Sequence, residues 1–142
     1  VDTIDAESNV AWYALKQIGA IADNLEFKAV SSALSPGDNF PSSKIKSSGW
    51  IFSYIDNQNT VVLTGPINAG TAATNEANNI ATPSLIPSDA LAIDTKIDDG
   101  IANTGKVRGS IINSTTCYNS GTYVIGGTDK TCALSYQVDV SS

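Results

Sequence analysis

The N-terminal part of the chain carries an apolar pattern with helical spacing. Between Asp5 and Ile18, apolar residues recur at intervals of three, four and seven positions, which places them on one face of a helix. Asp5 is the predicted N-cap, and Gly19 stands where a glycine commonly follows a helix end. We predict an amphipathic helix over 5–18 that buries one stripe in the domain's own sheet, with Trp12 at the stripe's edge. The stripe consists of Val10, Ala11, Ala14, Leu15 and Ile18.

The pattern over 49–65 indicates a β-hairpin. Aromatic and β-branched residues stand on both sides of a polar turn at 56–59. The segment 133–140 alternates strictly between apolar and polar residues, which predicts one buried and one solvated face, as in an antiparallel sheet. Two further strands are predicted at 106–112 and 122–125.

A second, shorter helix is predicted after Pro87. Ser88 is its expected N-cap, it runs to about Asp98, and Gly100 follows its end. Its predicted apolar face consists of Ala90, Ile93 and Ile97, with Leu91 beside them.

The segment 66–82 is rich in Gly, Ala, Thr and Asn, which predicts a surface loop suited to recognition. The pattern contains no internal repeat and no second domain. We therefore predict a single α+β domain over 1–142.

Composition narrows the possible classes of function. A net charge of −6 and a single arginine argue against a nucleic-acid site or a polybasic membrane patch. The absence of histidine excludes Ser-His, Cys-His and His-metal mechanisms. Charged residues make up only 15% of the chain, whereas 42 residues are Ser, Thr or Asn, which is more typical of secreted or surface proteins.

The two cysteines, Cys117 and Cys132, predict a disulfide and an oxidising compartment. Two turn-rich clusters lie between them, so the intervening chain can fold back and bring the two α-carbons within bridging distance. Two buried free thiols are the alternative.

Several of these segments resemble type IV pilins and the pseudopilins of type II secretion. Glu7, Trp12 and Leu15, followed by Gly19 and Ile21, are similar to the N-terminal helix of that family, and the densest match covers 89–100 followed by 104–108. The resemblance implies a pilin-like fold, with the N-terminal helix packed on an antiparallel sheet and a disulfide-closed C-terminal loop. It also implies a structural subunit without catalysis or cofactor, placed in a bacterial surface filament or the periplasm, with other subunits as partners.

Pilins begin with a long hydrophobic helix that inserts in the membrane, and no segment of this sequence matches it. We therefore expect this chain to be the soluble domain of a longer subunit, or one part of a split pilin. Any membrane contact is then expected only through that helix, and the chain alone is not expected to form filaments. The alternative function is a surface-exposed adhesive or ligand-binding module of the same fold.

Three acids near the end of the second helix are the candidate metal ligands. Asp94 and Asp98 are four residues apart on one helix face, and Asp99 follows. Calcium takes carboxylate oxygens, so a calcium site is conceivable here. Because one helix end cannot supply six to eight oxygens, we expect no tight site. In the favoured reading, these acids are solvated, or they cap local backbone and pair with nearby lysine or arginine.

Aromatic residues offer a second choice of interpretation. Trp12, Trp50, Phe52 and Tyr54 are expected in a helix–sheet core, and a ligand-stacking platform is the alternative. Ser43 and Lys46 fit the S-x-x-K pattern of penicillin-recognising enzymes, but the partner motifs are absent, so no enzyme is predicted.

Overall fold

The computed structural model describes residues 4–28, 32–55, 57–68, 81–112 and 114–138. Within these residues the chain forms two helices and six strands, which confirms an α+β fold with an antiparallel sheet. The helices are α1 (Ile4–Gln17) and α2 (Pro87–Ile97), and the strands are β1 (Gly49–Ile55), β2 (Gln58–Thr64), β3 (Val107–Arg108), β4 (Tyr118–Asn119), β5 (Thr122–Tyr123) and β6 (Leu134–Gln137).

The first helix ends as predicted but starts earlier. It begins at Ile4, so Asp5 lies inside the first turn and the predicted N-cap is wrong. Beyond Gln17, the backbone N–H groups of Gly19 and Ala20 donate to carbonyls of the last turn. Gly19 has a φ of 73°, a left-handed conformation that glycine adopts without steric cost.

Four strands form one antiparallel sheet in the order β1-β2-β6-β3. The β1–β2 hairpin is tighter than predicted, because pairing continues to Ile55 and Gln58. Its turn therefore has two residues rather than four; Asn57 has a φ of 62°, and Asp56 lies outside the described residues. The strand predicted at 106–112 contributes only two residues, since the chain bends away at Gly109, against which the Tyr123 ring packs.

Side chains directly opposite each other in an antiparallel pair share one face, so the register divides the sheet into two faces. The closed face carries Ile51, Val62 and Ser135, and it is covered by residues from distant segments. The open face carries Trp50, Phe52, Val61, Leu63, Leu134 and Tyr136. The apolar residues that pack over the closed face are Leu34, Phe40, Ile67, Ala81, Ile111 and Ala133.

A second core lies on the open face and covers only part of it. Leu63 and Leu134 pack there with Ala90 of α2 and with both cysteines. Tyr136 and Val138 remain substantially exposed. The prediction that the apolar side of the last strand is buried is therefore wrong at Tyr136 and Val138, and Val140 lies outside the described residues.

The helices also present different faces from those predicted. The Trp12 indole stacks on Phe52, an open-face residue of the edge strand β1, with ring centroids 4.3 Å apart. Trp12 also packs against the core of the closed face. Val10 and Ala14 lie on the opposite side of the helix from Trp12, and they are exposed, as is Ile18 one residue after the helix end. The other two residues of the predicted stripe, Ala11 and Leu15, are half-buried. This large aromatic contact decides which side of α1 faces the sheet.

The start of α2 differs from the prediction, and its buried face differs only at Ile97. Ile86 is the N-cap, without a side-chain cap, and Pro87 is the first helical residue, so the predicted cap Ser88 is wrong. Proline suits this position, and it holds the preceding residue extended. Of the predicted apolar face, Ala90 is buried and Leu91 and Ile93 pack half-buried against the same core, whereas Ile97 is exposed. Pro87 and Asp94 are buried as well.

The predicted disulfide is confirmed. Cys117 and Cys132 are bonded, with a Cα–Cα distance of 5.1 Å, and both are fully buried. The enclosed loop contains the β4–β5 hairpin, which turns at Ser120 and Gly121. In the described part of the chain, neither helix has the length and apolar character needed to cross a membrane.

Candidate functional site

An apolar groove lies on the open face among the described residues. Its floor is formed by strand residues, among them Trp50, Val61 and Tyr136. Ile93 and Ile97 of α2 line it on one side, and the segment 42–45 lines it on another. The groove has a volume of about 1160 Å³. We call it the sheet groove.

Few polar groups face the sheet groove. The ionisable residues along it are Asp23, Lys44 and Tyr136, and all three are exposed. The Ser43 hydroxyl, also at the groove, lies 2.6 Å from the Ser48 hydroxyl and 3.3 Å from the carbonyl oxygen of Ile45. The sheet groove therefore offers mainly apolar surface to a ligand. The Ser43 hydroxyl contacts a hydroxyl and a carbonyl oxygen, and neither group is a base that would activate a nucleophile.

A second apolar surface lies on α1. Val10, Tyr13 and Ala14 of α1, together with Ile18 directly after its end, are exposed and follow the spacing of one helix face. Val10 is 49% exposed and Ile18 is 77% exposed. Tyr13 contacts Phe27 edge to face at 6.3 Å, so the chain after the helix folds back beside this surface. We call these four residues the outer stripe of α1.

The candidate metal ligands are brought together, and each already has protein partners. One oxygen of the buried Asp94 carboxylate accepts from the Tyr123 hydroxyl at 2.7 Å, and the other accepts from the Gly100 backbone N–H at 3.0 Å. This pair ties α2 to β5 and to the loop that follows the helix. Asp94 thus has a structural role inside the domain.

Asp98 and Asp99 organise the loop between α2 and β3. One Asp98 oxygen accepts from the backbone N–H groups of Lys106 and Val107. Asp99 accepts from the Thr104 hydroxyl at 2.6 Å and from the Ile101 N–H at 2.9 Å. Gly105 lies against the Asp98 carboxylate, in space that a side chain would fill. The residues of the densest family resemblance therefore build this loop through local capping.

The surroundings of Asp94 and Asp99 shift the pKa values of their carboxyl groups in opposite directions. Burial raises the pKa of the Asp94 carboxyl above its usual value, although the hydrogen bonds from Tyr123 and Gly100 oppose the rise. The hydrogen bonds from Thr104 and Ile101 lower the pKa of Asp99. Burial, followed by the bond to Asp94, raises the pKa of the Tyr123 hydroxyl.

A cation is chemically compatible with this cluster. One potential ligand atom from each of Asp94, Asp98 and Asp99 falls in a set whose members all lie within 4.8 Å of one another. The hydrogen bonds to these carboxylates give the cluster a role that needs no cation. The expectation of no tight calcium site stays a prediction.

The disulfide-closed loop displays a third apolar surface. Val124 and Ile125 are exposed directly after β5, and Ile125 is 61% exposed. Most of the recognition loop predicted at 66–82, from 69 to 80, lies outside the described residues.

Sequence reasoning did not find the sheet groove. The aromatic residues divide between the two interpretations: Trp12 and Phe52 stack and are partly buried, whereas Trp50 and Tyr54 are exposed. The sequence did contain one signal for an aromatic surface: β1 alternates Trp, Phe and Tyr with Ile and Ser, so the three large aromatic side chains share one face of the strand. The groove itself depends on which segments cover the sheet, and the pattern does not contain that information.

Comparisons with protein-family models, with curated proteins and with solved structures each find no match to this chain. The likeness to pilins therefore rests on the residues quoted for it above.

Proposed function

We propose that this chain is the globular domain of a subunit in an extracytoplasmic filament, similar to a type IV pilus or a type II secretion pseudopilus. The observation that carries the proposal is the outer stripe of α1. A helix that packs on a sheet normally turns its apolar side inward, yet Val10, Ala14 and Ile18 point away from the sheet. Apolar surface left exposed in this way is typical of protein–protein contact sites.

Two further features support this assignment. The disulfide is typical of secreted, periplasmic and surface proteins. The carboxylates of the sequence segment most similar to pilins are used in local hydrogen bonds, which fits a structural domain without catalysis. In this proposal the partners are other pilin or pseudopilin subunits, and membrane contact belongs to the hydrophobic helix that pilins carry.

The experiment is immunogold electron microscopy of the source organism with antibodies against this chain. We expect labelled filaments in the wild type, and loss of filaments when Ala14→Asp places a charge in the outer stripe. Ser88→Asp is the matched control, because Ser88 is exposed in the first turn of α2, where a carboxylate is favourable. Antibody labelling spread over the cell surface without filaments would refute the proposal.

A surface adhesive or ligand-binding module is the second candidate, and Val124 and Ile125 favour it. An exposed apolar pair beside a disulfide suits a rigid recognition loop. In that case the purified chain binds cells or matrix directly, and Ile125→Asp abolishes binding whereas Ser88→Asp does not. Binding that is unchanged in Ile125→Asp would exclude this loop as the adhesive site.

A further inference from the structure

The floor of the sheet groove is mainly hydrocarbon. Aliphatic side chains such as Val61, Val138 and Ile97 line it together with the rings of Trp50 and Tyr136. All of these except Val61 are more than one third exposed. The volume of the groove, about 1160 Å³, is close to the upper end of the range of about 300–1,000 Å³ that is typical of small-ligand sites.

The shortage of polar groups on this floor limits what can lie on it. The strands β2 and β6 use their backbone N–H and C=O groups in the sheet, and the Tyr136 hydroxyl is a solitary polar group among large apolar side chains. An extended peptide or a sugar laid there would lose its hydrogen bonds to water without gaining partners, which is costly. A hydrocarbon chain has no such groups, so its burial on this floor is favourable.

The charged groups beside the groove are mainly basic. Lys44 lines the groove, Lys46 follows in the same loop, and the Lys130 Nζ lies 3.5 Å from the Lys46 carbonyl oxygen. These lysines are three of the eight cationic residues in a chain whose net charge is −6. Among the described residues no carboxylate is ion-paired with them, and Asp23 is the acid that lines the groove. The groove therefore combines apolar surface with a local excess of positive charge.

The loop that carries two of these lysines is held in place beside the floor. The backbone N–H of Ser43 donates to the Ser48 carbonyl at 2.8 Å, and the two hydroxyl oxygens lie 2.6 Å apart. Ile45 is half-buried and packs against the core of the open face, whereas its neighbours Lys44 and Lys46 are exposed. The loop thus keeps its ammonium groups in water at the side of an apolar trough.

From these observations we propose that the sheet groove binds a free single-chain amphiphile with an anionic head group, such as a fatty-acid carboxylate. The hydrocarbon chain lies on the aliphatic floor between Trp50 and Tyr136, and the head group lies near Lys44. The exposed ammonium groups contribute selectivity more than affinity, because exposed ion pairs are weak. This binding site is additional to the proposed filament function and does not depend on it.

The experiment is quenching of tryptophan fluorescence in the purified chain by bromine-terminated undecanoate, below the concentration at which it forms micelles. Bromine quenches an indole that it contacts. Trp50 lines the groove, whereas Trp12 stacks on Phe52 and is not a lining residue. We expect saturable quenching in the wild type and its loss in Trp50→Phe. Quenching that persists in Trp50→Phe would place the undecanoate elsewhere and overturn the proposal.

The head group is tested with three amphiphiles of the same chain length that carry a carboxylate, a hydroxyl or a trimethylammonium group. The carboxylate should bind about fivefold more tightly than the trimethylammonium compound. Lys44→Gln should remove most of this preference. Lys16→Gln is the matched control, because Lys16 lies on α1 and does not line the groove. Equal affinities for the three amphiphiles, or tightest binding of the cationic one, would contradict the anionic head group.

The hydrocarbon part is tested by chain length and by one lining residue. Each added methylene group should raise the affinity by up to about fourfold. Ile97→Asn should weaken binding of all three amphiphiles about threefold, and Ile18→Asn should not, since both residues are exposed but only Ile97 lines the groove. Urea unfolding verifies that each variant is folded. Affinity that is independent of chain length, or binding to phosphatidylglycerol vesicles without binding to the free amphiphile, would overturn the proposal.

Discussion

The two faces of the sheet differ in how completely they are covered. Polar side chains are usually exposed and large aromatic ones buried, but on this sheet several residues show the reverse. The closed face contains small and polar side chains, such as Ser53, Thr60 and Ser135, and all three are buried. The open face contains large aromatic ones, such as Trp50 and Tyr136, and these are exposed. Coverage by distant segments, rather than polarity of the strand residues, decides which face becomes interior here.

This contrast separates stability from interaction. The closed face packs against Phe40 and Ile67 with little exposed surface, so its residues should govern the free energy of unfolding. The open face leaves apolar surface available, so its residues should govern binding to other molecules. The predictions below test this division, from the largest expected effect to the smallest.

Truncation of a closed-face residue should have the largest effect. Phe40 is 1% exposed, so Phe40→Ala should lower the free energy of unfolding by about 3–5 kcal/mol, through lost burial and a cavity. Tyr54→Ala on the open face is the control, since Tyr54 is 50% exposed and should cost less than about 1 kcal/mol. Urea unfolding followed by circular dichroism measures both variants. Similar losses for the two would break the division between the faces.

The disulfide fixes the covered part of the open face. Replacing both cysteines, as Cys117→Ala with Cys132→Ala, should lower the free energy of unfolding by about 3 kcal/mol, because the bridge closes a loop over 15 positions. Alanine suits these two fully buried positions better than serine, which would bury a hydroxyl group. Urea unfolding compared with the oxidised wild type measures the effect. An unchanged midpoint would mean that the covered core holds this loop without the bridge.

Local signals in the sequence predicted most of the elements correctly. The helical spacing followed by Gly19 predicted where α1 ends, the polar turn predicted the β1–β2 hairpin, and Pro87 indicated the start of α2. Turn-rich chain between Cys117 and Cys132 gave the disulfide. Each of these depends on residues close together in sequence, or on a pairing with a single possible partner.

Burial could not be predicted in the same way. Ser135 appears solvent-facing by alternation, yet it is buried on the face covered by Ile111 and by residues before β1. The Ser53 hydroxyl is buried without a hydrogen-bond partner among the described residues, which no pattern rule favours. The role of Asp94 was also hidden, because its partner Tyr123 lies 29 residues later.

The buried acid beneath α2 should make stability depend on pH. Burial in the folded state raises the pKa of Asp94 above the usual 3.8, so between these two pKa values the folded chain holds a proton that the unfolded chain releases. The free energy of unfolding should therefore fall as pH rises from about 4 through the raised pKa.

Asp94→Asn is the variant that isolates this effect. An amide can still accept from the Gly100 N–H and donate to the Tyr123 oxygen, so the structure is retained while the titration is lost. Asp99 titrates in a second, lower pH range. Because its pKa is lowered in the folded chain, its contribution to the free energy of unfolding is lost as the pH falls below 3.8. Unfolding experiments from pH 3 to 7 should show the decline above pH 4 in the wild type only. The same decline in Asp94→Asn would assign it to another group.

Calcium should have the smallest effect of all. The carboxylates of Asp98 and Asp99 accept hydrogen bonds from the loop that follows α2, and Asp94 is directed into the covered core. A calcium ion needs six to eight oxygens, and three carboxylates with these partners do not provide that shell. The midpoint of thermal unfolding in millimolar calcium should therefore match that in millimolar magnesium within about 1 °C. Calcium raises the midpoint only if its dissociation constant for the folded chain lies well below the added concentration. A rise of several degrees that is specific for calcium and lost in Asp98→Asn, which keeps an acceptor oxygen for the backbone of residues 106 and 107, would contradict this and establish the cluster as a cation site.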